Sequence, residues 1–291
     1  MEGGFGLPYQ VSGADGAPIK VGSASAPCVA DWDSDGDLDL LVGEISGAMY
    51  YVENTGSTRA PKYATPEKMK AAGVDLAVSG DSGPVVADWD SDGDLDLLVG
   101  DGNGAVYLFK NTPADGEPVL GPRIELVNGR TYKKDPETGK FGLEPGSGLH
   151  PEEMGSRAKL AVCDWNADGS LDLLVGDFSS ERGPDPDLSK EQVALKERLE
   201  EEQDELSDRM QPLWKEIRDQ ALSEIGEQRE GESSSEYNDR LWEVEEKIQA
   251  AHEDYSEVMD RSQELYDELR PMLPEHFYHG YVWVYLRKPR S

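Results

Sequence analysis

Cationic side chains are scarce in this 291-residue chain: 28 lysines and arginines stand against 60 aspartates and glutamates, a formal net charge of −32. Such a surface repels a phosphate backbone, which excludes nucleic acid as a partner and favours cationic ones. No stretch approaches 18 apolar residues, so no transmembrane helix is encoded and no membrane insertion is expected. The opening residues MEGGFGLPYQ lack the basic and apolar regions of a signal peptide, so the expectation is a cytoplasmic protein or one whose leader has been replaced by a start codon. Histidine is rare as well, confined to His150, His252, His276 and His279. Nucleophilic catalysis needs a base beside a nucleophile, and no GxxxxGK, GxSxG or HExxH string is present, so the chain reads as non-enzymatic. The two cysteines, Cys28 and Cys163, each lie on an apolar segment just ahead of an acidic string and read as small buried thiols rather than a disulfide.

Aspartate, by contrast, is concentrated in three nine-residue strings: DWDSDGDLD at 31, DWDSDGDLD at 88 and DWNADGSLD at 164. Several like charges within nine residues destabilise a compact loop unless a cation sits among them. An all-oxygen donor set on a short flexible loop suits calcium better than octahedral, water-retaining magnesium. The donors expected are the side chains at positions 1, 3, 5 and 9 and a backbone carbonyl at 7, with glycine at 6 permitting the turn. The first loop then uses Asp31, Asp33, Asp35, the carbonyl of Asp37, and Asp39; the second uses Asp88, Asp90, Asp92, the carbonyl of Asp94, and Asp96. The third uses Asp164, Asn166, Asp168, the carbonyl of Ser170, and Asp172; with neutral Asn166 and Ser170 it is expected to bind most weakly. About three calcium ions per chain follow. An EF-hand would place glutamate at position 12, where this chain has Val42, Val99 and Val175, and LDLLVG after each loop reads as a buried strand rather than a helix.

The strings mark a repeat, starting at 31, 88 and 164. After LLVG a four-residue step leads from Gly43 to Gly47 and the strand AMYYVEN, and from Gly100 to Gly104 and AVYLFKN, so each unit contains a hairpin. The apolar approach strand and a further segment (PYQVSGADGAPIKV, PKYATPEKMKAAGVDL, PRIELVNGRTYKK) bring each unit to four short strands, the pattern of propeller blades. Trp32, Trp89 and Trp165, at position 2 of each loop, are expected to pack between blades. The Gly-rich GKFGLEPGSGLH segment is too poor in strands to be another blade. In the third unit the step from Gly176 to its counterpart Gly280, ahead of YVWVYLRK, takes 104 residues, so one hairpin turn carries an insertion. Apolar residues in it recur at helical spacing: Leu195, Leu199, Leu206, Met210, Leu213 and Ile217, then Leu241, Val244, Ile248, Tyr255, Val258, Leu265 and Leu269. Two arms of about 35–40 residues in a coiled-coil hairpin are expected, capped at Ser189 with Gln192 and at Ser233 with Glu236, with a kink at Pro212. HFYH, from His276 to His279, reads as a junction packed by Phe277 and Tyr278. The domains are therefore 1–180, blades with three calcium loops; 181–275, the helical hairpin; and 276–291, the last strand of the third blade.

On its loops, strands and period the chain resembles the FG-GAP or VCBS repeat proteins, the integrin-type calcium-binding β-propellers, over residues 5–180 and 280–291. The resemblance implies a mainly β fold of three four-stranded blades, calcium at the matching positions, and an extracellular, periplasmic or cell-surface setting. It also implies an adhesion or binding role toward a protein or glycan. The helical insertion departs from the family pattern. Three blades are fewer than a propeller needs to close, and the two ends of the chain supply what each other lacks. Two chains are therefore expected to associate head to tail into a six-bladed homodimer, unless this is a piece of a longer propeller. The competing readings are a calcium-dependent polysaccharide lyase or hydrolase, and a self-assembling structural protein that uses its coiled-coil arm.

Overall fold

The computed structural model describes residues 7–114, 116–134, 141–143, 155–229 and 234–288. The chain divides into two compact units, Met1–Ser180 with Tyr278–Ser291, and Glu181–Phe277.

The first unit is mainly β. Its first sheet has the order β1 (Ala26–Ala30), β2 (Asp39–Gly43), β3 (Met49–Val52) and β4 (Glu67–Lys68), all antiparallel. The second repeats it with β5 (Gly83–Ala87), β6 (Asp96–Gly100), β7 (Val106–Phe109) and β8 (Ile124–Val127). The third is built from β9 (Ser156–Cys163), β10 (Asp172–Arg182), β11 (His276–His279) and β12 (Val282–Tyr285), with both β11 and β12 on β10. Register repeats with the sequence: Cys28, Leu41 and Tyr51 form a row across the first sheet, Val85, Leu98 and Leu108 across the second, and Ala161, Leu174 and Val284 across the third. No sheet among the described residues closes on itself.

Successive side chains of a strand point to opposite faces, and the LLV runs are apolar on both; the second sheet is covered on both sides, by the first and by the third. Trp32, Leu41 and Met49 of the first sheet pack against Leu97, Val99, Tyr107 and Phe109 of the second. Trp89, Leu98, Val106 and Leu108 of the second pack against Ala158, Leu173 and Val175 of the third. The glycines that end the first two LLVG runs are required by this stacking. A Cβ on Gly43 would lie 2.2 Å from the carbonyl oxygen of Ser82, and one on Gly100 would lie 2.3 Å from that of Ala158. Arg287, beyond β12, adds a polar lock: its guanidinium lies 4.8 Å from the Trp89 ring centroid and donates to the Trp89 carbonyl.

Several expectations change at this point. The segments ahead of the second and third loops complete the sheet before them, because β4 and β8 pair with the hairpins they follow. The corresponding N-terminal segment makes isolated bridges, Ser12 with Pro18 and Gly13 with Tyr63, and enters no sheet. The third sheet's extra strand, β11, prolongs the interrupted hairpin along β10 instead of lying outside it. Within the Gly-rich segment Phe141–Leu143 pairs with Tyr132–Lys134, a two-stranded ribbon, while 139–140 and 144–150 fall outside the described residues. Both cysteines are free; Cys28 is half-buried, but Cys163 is exposed, because no later sheet lies over the third. Trp165 is exposed for the same reason.

Among its described residues the second unit has three α-helices, not two: α1 (Lys190–Ile225), α2 (Ser234–Ala251) and α3 (Glu253–Leu269). Ser189 and Gln192 form the expected capping box; the Ser233–Glu236 cap lies outside the described residues. α1 continues through Pro212, and the break falls in the other arm, where His252 takes an extended conformation and its Nδ1 accepts the Tyr255 N–H at 3.2 Å to start α3. The apolar stripes meet as Leu199 and Leu206 with Val258, Leu265 and Leu269, and as Ile217 and Ala221 with Leu241 and Ile248. Arg261 bridges the arms with a forked contact to Glu202, at 2.7 and 3.1 Å, and its hydrogen bonds hold the Glu202 carboxyl below the usual range.

Because the strand leading into the third sheet leaves no room for a side chain, Gly100→Ala should destabilise the first unit by about 1–3 kcal/mol. Thermal denaturation followed by β-sheet circular dichroism measures the loss.

Candidate metal centre

Each acidic string turns through two left-handed residues. At position 4, Ser34, Ser91 and Ala167 have φ of 63°, 61° and 58°; at position 6, Gly36, Gly93 and Gly169 have φ of 97°, 101° and 86°. Only glycine adopts this region without strain, so the position-4 residues show that the turn is imposed by the loop as a whole. Backbone N–H groups then fix the acceptors. Gly36, Gly93 and Gly169 donate to the position-1 carboxylates Asp31, Asp88 and Asp164 at 3.3, 3.2 and 2.9 Å. Asp37, Asp94 and Ser170 donate to the position-5 carboxylates Asp35, Asp92 and Asp168 at 3.0, 3.1 and 2.9 Å.

This geometry gathers oxygens. Asp31, Asp33 and Asp35 each offer a carboxylate oxygen within 4.8 Å of the others, and so do Asp88, Asp90 and Asp92. Three carboxylates so close repel one another strongly. Burial, with the charges of Asp39, Asp35 and Asp31, pushes the Asp33 carboxyl above its usual range. Burial, with the charges of Asp35 and Asp39, does the same to Asp37, whose Oδ1 is buried without a hydrogen-bond partner. A compact cluster of hard oxygen donors fits a hard divalent cation, which would relieve that repulsion.

The position-9 aspartates have a further task. Asp39, Asp96 and Asp172 are buried, and each accepts two backbone N–H groups from different parts of the repeat. One comes from the loop tryptophan: Trp32 to Asp39 at 3.1 Å, Trp89 to Asp96 at 3.2 Å, Trp165 to Asp172 at 3.0 Å. The other comes from the end of the returning strand: Asn54 at 2.7 Å, Asn111 at 2.8 Å, Arg287 at 2.7 Å. Position 9 therefore ties loop to hairpin whether or not it also reaches a cation.

The three loops differ in what surrounds them. Beside the first stands Glu53, whose carboxyl is raised by burial and by Asp33 and Asp39, and the Tyr51 hydroxyl, 3.5 Å from Asp33. At the place of Glu53 the second repeat has Lys110, whose ammonium lies 2.6 Å from Asp90. The third has Leu286 there. In that loop the Asn166 amide donates to Asp168 at 3.0 Å, while its oxygen accepts the Asp168 N–H, also at 3.0 Å. Hydrogen bonds from Ser170 and Asn166 hold the Asp168 carboxyl below its usual range. The amide thus supplies positive potential from within the third loop itself.

A second acidic position escaped the sequence reading: Glu44, Asp101 and Asp177, directly after each LLVG run. Glu44 accepts the N–H groups of Ser46 at 2.9 Å and Ala48 at 3.2 Å, and Asp101 those of Asn103 at 2.9 Å and Ala105 at 2.8 Å. Asp177 makes the same clamp across the insertion, accepting the Tyr281 N–H at 2.8 Å, along with the Gly155 N–H and the Trp283 Nε1–H. The recurrence of an acid one residue beyond LLVG was the available signal. Of the histidines, His276 is exposed and His279 packs edge-on to Tyr281 at 4.9 Å; His150 lies outside the described residues. Tyr278 stacks on Phe178, while Phe277 and Tyr278 remain largely exposed.

Lys110 competes with a cation for Asp90, so Lys110→Met should tighten calcium binding at the second loop by about 0.5–1 kcal/mol, the worth of a part-exposed ion pair. Calorimetric titration should resolve this and show the third loop filling last.

No curated protein matches the chain. Residues 31–99, from the first acidic string through the strand after the second, match the family model of the FG-GAP-like repeat, and the chain carries that repeat.

Proposed function

We propose that this chain is a non-enzymatic, calcium-stabilised module of the propeller type that binds a protein or glycan outside the cytoplasm. The observation that carries the proposal is the twice-repeated convergence of three carboxylates within 4.8 Å at the root of a hairpin whose strands are tied to the same loop by a buried aspartate. The calcium is structural. Ligated carboxylates stop repelling one another, and the loop, central strand and returning strand of each sheet become one unit. Calcium-binding modules of modest affinity belong where the ion is plentiful, which supports an extracellular, periplasmic or cell-surface setting. The FG-GAP-like repeat over 31–99 supports an adhesion or binding role. Three sheets stacked in one sense, the same face of each turned to the next, support reading them as propeller blades.

Melting curves in calcium and in EDTA test the metal. At a calcium concentration of about 100 times the dissociation constant, each filled site should add roughly 2.7 kcal/mol, and an unchanged melting temperature would refute the structural role. For the ligand, retention on immobilised glycans and surface proteins should require calcium; turnover of a polysaccharide by the purified chain would replace this reading with an enzymatic one.

A further inference from the structure

Residues at equivalent positions in the three sheets have different surroundings, and the third set is uncovered. Trp32 is 4% exposed and Trp89 8%, yet Trp165 is 59% exposed. Leu41 and Leu98 are fully buried, but their counterpart Leu174 is only partly so, and on the same face Val282 is 72% exposed, with Val284 and Leu286 also open. A Cβ on Gly176 would meet nothing nearer than 3.8 Å, where those on Gly43 and Gly100 would strike the next sheet's backbone. The face that sheets one and two each bury against a following sheet is therefore apolar and open on sheet three. A contiguous exposed apolar face of this kind marks an interaction surface.

What such a face accepts is shown twice within the chain: the leading face of another sheet, presenting Leu97, Val99, Tyr107 and Phe109 in one case, and Leu173, Val175, Trp283 and Tyr285 in the other. The first sheet has the matching face in Val29, Leu40, Val42, Tyr50 and Val52, by the same register. Val42 and Val52 are covered by Ile19 and Val21, the equivalents of Leu76 and Val78, which accompany the first inter-sheet cluster. Val29, the counterpart of the packed Val86, is 53% exposed.

We propose that the open face of the third sheet docks on the first sheet of a second copy of this chain, head to tail, with Trp165 seated there as Trp32 is seated within the chain. The contact continues an interface the chain already makes twice, and two such contacts related by a two-fold axis close a pair of chains into a ring of six sheets. It rests on the stacking of the sheets and is independent of the ligand.

Sedimentation of the full chain at micromolar concentration with calcium should give about twice the 32.0 kDa of one chain. Val284→Lys, on the third sheet, and Val29→Glu, on the first, should each halve that mass while leaving the circular dichroism of the folded chain. Mixing the two variants should restore a pair, since one intact third sheet then meets one intact first sheet. Val282→Lys serves in place of Val284→Lys if that variant does not fold. A single-chain mass for the unaltered protein overturns the proposal and leaves the face to another partner, such as a further repeat. A doubled mass that survives Val29→Glu also overturns it, because third sheets would then be pairing with each other.

Discussion

Carboxylate repulsion confined to a nine-residue turn is the constraint around which this protein is organised. Asp31, Asp33 and Asp35, and again Asp88, Asp90 and Asp92, are held together by backbone N–H groups despite their like charge. Their cost falls on the same loop that Asp39 or Asp96 ties to the far end of the hairpin. At the other end of the central strand Glu44 or Asp101 clamps the tight turn. Each β2-type strand is thus pinned at both ends by acids whose oxygens serve backbone donors, and a cation at the loop would act on the whole hairpin.

The pinning explains how the third repeat tolerates its insertion. Asp177 accepts the Tyr281 N–H across 104 residues as Asp101 accepts the Ala105 N–H across four. Asp172 likewise reaches the Arg287 N–H. The hairpin is defined by these two contacts and its ladder, so the chain between Gly176 and Gly280 is free to leave and return. The helices formed on that excursion satisfy their own needs, with a capped start at Ser189, an apolar seam and the Arg261 fork to Glu202.

Much of this was legible in the residue order. The DxDxDG strings, the LLVG strands, the hairpin glycines and the heptad-like stripes are local patterns whose physics is local: charge density, period-2 and period-3.6 burial, and turn conformation. The Glu44, Asp101 and Asp177 clamps were not seen because an acceptor's partner cannot be read where the donor is a backbone group set by folding. The opposite characters of Glu53 and Lys110 were visible as letters, but that both stand beside a metal loop follows only from strand register. Pro212 was expected to bend α1, yet the break came at His252, where a side-chain cap could replace the lost helical bond.

The sequence by itself determined the repeating unit: where the acidic loops lie, which strands follow them, and where a helical excursion interrupts the third copy. Tertiary structure alone decided which of three equivalent positions would be buried. Trp32, Trp89 and Trp165 share one context, and so do Gly43, Gly100 and Gly176, but the first two of each set meet a following sheet and the third does not. Burial is a property of what lies on the other side of a surface, and a repeated string carries no record of its place in the stack.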